Sequence, residues 1–91
     1  MKREQTKEDN KMKQAKINHD WDGSAFVVTV SDKFRDENSE VEVTGIEKVT
    51  DKHGEETVEI SYKRFVYATG EIQEGWQQIE GFMIHWEGKQ I

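Results

Sequence analysis

From Ile17 onward apolar residues recur at every second position, and this period constrains the fold more than any other feature of the chain. In an extended strand, alternate side chains leave on opposite faces, so a period of two means one buried face and one solvated face. Phe26, Val28 and Val30 form one such row, and Val41 and Val43 a second. Val58, Ile60, Tyr62 and Val66 form a third, interrupted by Arg64. Trp76, Phe82, Ile84 and Trp86 share one parity in the last run. Turn chemistry separates the rows at Asp20-Trp21-Asp22-Gly23, Thr50–Gly54, Thr69-Gly70 and Glu74-Gly75, with Ile72 on a short strand between the last two. The expected fold is mainly β: a small antiparallel sheet of four to five strands curling into a barrel or sandwich. The chain has no proline, so no strand is demoted to an edge on that account.

Two places interrupt the pattern. Parity breaks at Gly45, after which Ile46 and Val49 are apolar, as expected of a β-bulge with glycine in a positive-φ position. The polar run Ser31–Ser39 reads as a long loop or one helical turn, anchored by Phe34. A third irregularity concerns the faces: Val27, Phe65, Tyr67, Ile79 and Met83 fall out of phase with the core rows. A bent sheet that buries parts of both faces accounts for them. So does an exposed apolar patch used for binding or self-association.

Residues 1–16 hold only Met1, Met12 and Ala15 as apolar side chains, too few to offset the entropy of ordering. They are expected to form a charged flexible tail, disordered or partly helical, ahead of a single small domain over residues 17–91. The tail is basic and the body acidic. Residues 1–18 carry six Lys or Arg against three acids, a net of +3, so the rest of the chain carries −9 of the total −6. A body of that sign repels phosphates unless its bases cluster.

Ninety-one residues, 33% of them hydrophobic, bury too little surface for a deep enclosed pocket, so any site should be a surface or groove. Cysteine is absent, which removes disulfides, thiol catalysis and thiolate zinc sites. No apolar run approaches the roughly 20 residues of a membrane span. Nor does the N-terminal stretch resemble a signal peptide, so a cytoplasmic, membrane-free protein is expected.

Catalytic signatures are missing. None of His19, His53 and His85 stands at ligand spacing from another. The segment around Asp20 and Asp22 lacks the further oxygen ligands of a calcium loop. Ser24, Ser31, Ser39 and Ser61 sit in no nucleophile elbow, and no glycine-rich phosphate loop occurs. The expectation is a non-enzymatic protein with no cofactor and no metal.

Three functions fit. The first is a protein-binding module that presents an acidic face (Glu40, Glu42, Glu55, Glu56 and Glu59) to a nucleic-acid-binding host protein. The small accessory proteins and inhibitors that phages encode are of this general type. The second is a small barrel that binds single-stranded nucleic acid, with Lys63, Phe65 and Tyr67 on one strand face. The third is a structural or assembly subunit, a homo-oligomer built through a strand edge or an apolar face.

Overall fold

Alternation builds two antiparallel sheets, and a single helix closes them. A computed structural model describes residues 11–19 and 21–91. The elements are β1 (Lys11–Met12), β2 (Gln14–Asn18), β3 (Ala25–Thr29), β4 (Lys33–Arg35), β5 (Ser39–Thr50), β6 (Glu56–Val66), β7 (Ile72–Gln78) and α1 (Ile79–Trp86). The main sheet runs β1-β5-β6-β7, with β4 beside β1 on the same flank of β5. β2 and β3 form a separate hairpin. The chain is thus mainly β, as expected, but its sheets do not close into a barrel.

The long β5–β6 hairpin is the frame. Its loop is organised by Asp51, whose carboxylate accepts the backbone N–H groups of His53 and Glu55 at 2.8 and 2.9 Å. Gly54 takes the left-handed conformation there, with φ of 83°. The expected bulge is present as a register shift between Val43 and Gly45. It switches the buried parity of β5 from Val41 and Val43 to Ile46. Gly45 does not have a positive φ, however, so that part of the expectation is not met.

Three expectations need correction. The first is the tail, which was to reach Lys16. Residues 11–12 and 14–16 are strand, Ala15 is 5% exposed, and Met12 and Ile17 pack against the core. Ala15 and Ile17 fall on alternate positions of β2, Met12 sits in the separate β1, and β3 and β5 supply the backbone partners that order the segment. Residues 1–10 lie outside the described part. The second is the Ser31–Ser39 loop, which contains β4 and buries Phe34 at its centre. Arg35 N–H donates to Lys89 O and Ile91 N–H to Lys33 O, so the C-terminal residues take the outer edge of this short strand. Ser31, at φ of 84°, turns the chain from the small sheet to the large one. Asp32 holds that corner by accepting Thr29 N–H at 2.9 Å.

The third correction is the last run, which is not one strand. β7 ends at Gln78, and the next eight residues are helical. Glu74-Gly75, read as a turn, lies inside β7, where Gly75 faces Tyr62 across the strands. A Cβ at Gly75 would stand 3.0 Å from the Tyr62 hydroxyl, so the glycine leaves room for that ring. In α1 the buried residues are Ile79, Phe82 and Trp86, with Met83 packed beside them, whereas Ile84 is 80% exposed. Gly88, at φ of 82°, stops the helix.

One core joins all these parts. Phe26 and Val28 from the small sheet meet Val41, Val43, Ile46 and Ile60 from the large one, with Phe34, Phe82 and Trp86 between them. Phe82 lies at the centre: its ring is 5.4 Å edge-on from Phe34, 6.1 Å from Tyr62 and 6.4 Å from both Phe26 and Trp86. Two hydrogen bonds pin the end of α1 from outside the core. Buried His19 donates from Nε2 to Glu87 at 2.6 Å, and His85 donates from Nε2 to Asp36 at 3.1 Å.

Candidate binding face

With the core on one side of the large sheet, no other described element covers its other side, and the registers fix the composition of that side. The inner rows use Val58, Ile60, Tyr62, Arg64 and Val66 of β6, so Glu59, Ser61, Lys63 and Phe65 point outward. β7 adds Ile72, Glu74, Trp76 and Gln78 to that outer face. β4 and β5 add Lys33, Arg35, Glu40 and Glu42.

Read across the strands, the face has three zones. At one end Arg35, Glu40, Phe65 and Ile72 stand in line. Next comes a row of alternating charge, Lys33, Glu42, Lys63 and Glu74, in which each opposite-sign pair is favourable. Beyond Ser61 and Trp76, the far end brings Glu47 directly opposite Glu59, with Lys11 across from Glu47 on its other flank. Exposed apolar side chains stand in the first zone, at Phe65, Tyr67 and Ile72, and again at Trp76 on the far side of the charged row. Phe65 is 43% exposed, Tyr67 40%, Ile72 68% and Trp76 59%. The rings of Phe65 and Tyr67 meet edge-on at 5.9 Å, and the Tyr67 hydroxyl donates to Glu40 at 3.4 Å. An open hollow of about 420 Å³ lies beside Trp76, between Ser61, Lys63 and Glu74.

The acidic residues named from sequence do not form one surface. Glu40 and Glu42 lie on the outer face but among Lys33, Arg35 and Lys63. Glu59 is on the same face near its far end. Glu55 sits in the hairpin loop, and Glu56 has the opposite strand parity, 3.7 Å from Lys48. By contrast, Lys63, Phe65 and Tyr67 do come together, and β7 extends them with Ile72 and Trp76. Those two were missed because a turn at Glu74-Gly75 would have broken the strand that carries them, and Trp76 was assigned to the core row.

Two of the three histidines, His19 and His85, have side-chain partners. His53 is exposed in the hairpin loop, and the exposed His85 lies edge-on to Trp86 at 4.4 Å. His19 is buried, and its Nδ1 has no hydrogen-bond partner among the described residues. The Asp22 carboxylate serves its own turn by accepting the N–H and hydroxyl of Ser24, which lowers its pKa. Among the described residues no group of three or more His, Asp or Glu is placed to hold a metal ion. No helix among them is long and apolar enough to cross a membrane. Compared with known proteins, the chain matches no family model, no curated protein and no solved structure.

Proposed function

We propose that the protein is a non-enzymatic protein-binding module whose docking surface is the outer face of the large sheet. The observation that carries this reading is the exposure of Phe65, Tyr67, Ile72 and Trp76 together on one face of a sheet whose other face already holds the core. Aromatic anchors of this kind dominate binding energy at protein interfaces. The acidic end at Glu47 and Glu59, with the −9 charge of the body, favours a partner with basic residues around an apolar anchor. Nucleic-acid-binding proteins present such surfaces, so the chain would act as an accessory protein or inhibitor that occupies one of them.

The test is capture of a partner by the full chain after nuclease treatment, with the double variant Phe65→Ala/Trp76→Ala alongside. Both side chains are exposed, so the variant should fold. Loss of each anchor costs about 2 kcal/mol, and the pair should weaken binding on the order of several hundred-fold. Undiminished capture by the folded double variant would rule out this face.

A second reading has its own observation: Lys63, Phe65 and Tyr67 share one exposed row, with Trp76 on the next strand, and these rings are available for base stacking. Direct titration with a labelled single-stranded oligonucleotide at low salt separates the two readings. Saturable binding that weakens in the same double variant supports the second, and no binding ends it.

A further inference from the structure

The open edge of the large sheet carries an inference beyond partner docking and independent of it. β7 pairs with β6 along its whole length without a bulge, and no described segment pairs with its other side. The Val66 N–H bonds to Glu71 O at 2.9 Å, which fixes the alternation of the ladder. Gln73, Gly75 and Gln77 therefore turn their backbone groups toward β6. Ile72, Glu74, Trp76 and Gln78 turn theirs outward, unpaired. Edge strands usually carry lysine, proline, a bulge or a covering segment that discourages pairing. β7 (Ile-Gln-Glu-Gly-Trp-Gln-Gln) has no lysine, proline or bulge, and it exposes Ile72 and Trp76.

We infer that β7 pairs antiparallel with β7 of a second copy of this chain, with the twofold axis at Gly75. Backbone parity allows only registers that set the outward residues against one another. Centring on Glu74 would oppose two carboxylates. Centring on Trp76 would leave Ile72 and Gln73 unmatched. Centring on Gly75 matches all seven residues and sets each Glu74 across from Trp76 of the other copy. It also sets each Gln73 across from Gln77 of the other copy, where two amides can exchange hydrogen bonds on either side of the paired glycines. The contact is isologous, as a closed pair requires. It joins the two outer faces into one, with Ile72 and Trp76 of both copies near its centre.

Because the chain has no cysteine, cross-linking provides a register-specific test. Residues 73 and 77 of opposite copies form a non-hydrogen-bonded pair, with Cα atoms about 4.5 Å apart, within disulfide range. The double variant Gln73→Cys/Gln77→Cys should form a covalent dimer under mild oxidation. Neither single variant should, since like positions would lie about 13 Å apart. Light scattering of the cysteine-free protein should give twice the 10.7 kDa chain mass. Glu74→Pro, which removes an outward N–H and no bond to β6, should restore the single mass with an unchanged circular dichroism spectrum. A cysteine-free protein that stays monomeric at high concentration overturns the inference. So does a folded double-cysteine variant that does not cross-link, or one whose single variants cross-link equally. Partner capture can fail while cross-linking succeeds, and the reverse, so the two readings fall separately.

Discussion

Replacing Phe82 with alanine is expected to remove roughly half of the protein's stability. The side chain is fully buried and contacts rings from β3, β4, β6 and α1, so its removal opens a cavity that no single neighbour can fill. Truncating a buried phenylalanine costs about 3–5 kcal/mol. A domain of this size has only about 5–10 kcal/mol to lose. Urea unfolding followed by circular dichroism measures the effect, and Ile84→Ala is the informative companion. Ile84 is 80% exposed on the far side of α1, so its truncation should cost less than about 0.5 kcal/mol. If the run were a strand, the two positions would share a face. Comparable losses for both variants would therefore refute the helix.

The second large effect is on acid stability, through Asp36. Burial pushes its carboxyl upward. The Asn38 N–H at 2.8 Å, the His85 ring at 3.1 Å and the Ser39 N–H at 2.8 Å outweigh that, and the pKa falls from 3.8 to about 2. A pKa depressed by folding contributes stability above the unfolded value, and that contribution is lost as pH falls through the folded one. The loss therefore runs from about pH 4 down to about pH 2 and amounts to roughly 1–2 kcal/mol after allowance for solvent screening. Asp36→Asn should be less stable at neutral pH by a similar amount, with a flatter stability profile across that window. An acid limb of unchanged slope in the variant would show that the carboxylate is not its source. Since Asp36 also binds His85 of α1, acid should loosen the helix from the sheet.

Phe82 and Trp86 show why the end of the chain misled a reading by period. They are four residues apart, a spacing that puts two side chains on one face of a strand and also of a helix. Only Ile79 and Met83, out of phase for a strand, favoured the helix, and eight residues without a side-chain cap give little local signal. Its helicity comes from packing against Phe26, Phe34 and Tyr62, which lie far away in sequence. The β5–β6 hairpin was legible because alternation, turn residues and the bulge all agree locally. The same is true of the Lys63–Phe65–Tyr67 row, which follows from alternation within one strand. Ile72 and Trp76 join that row only through pairing of β7, and Gly75 looks like a turn residue until Tyr62 is seen to need the space. The acidic face dissolved for a similar reason: counting charges along the chain does not reveal that Lys33 and Arg35 stand beside Glu42 and Glu40.

The bonds from residues 89 and 91 to β4 determine how far strand addition could go. On the flank of the large sheet away from β7, the described strands are β4, whose outer edge those bonds occupy, and β1, which is only two residues long. A sheet open on both sides can keep adding neighbours and grow into a fibre. One that is open on a single side runs out of valence once that side is filled. Association through β7 would therefore terminate at two chains instead of propagating.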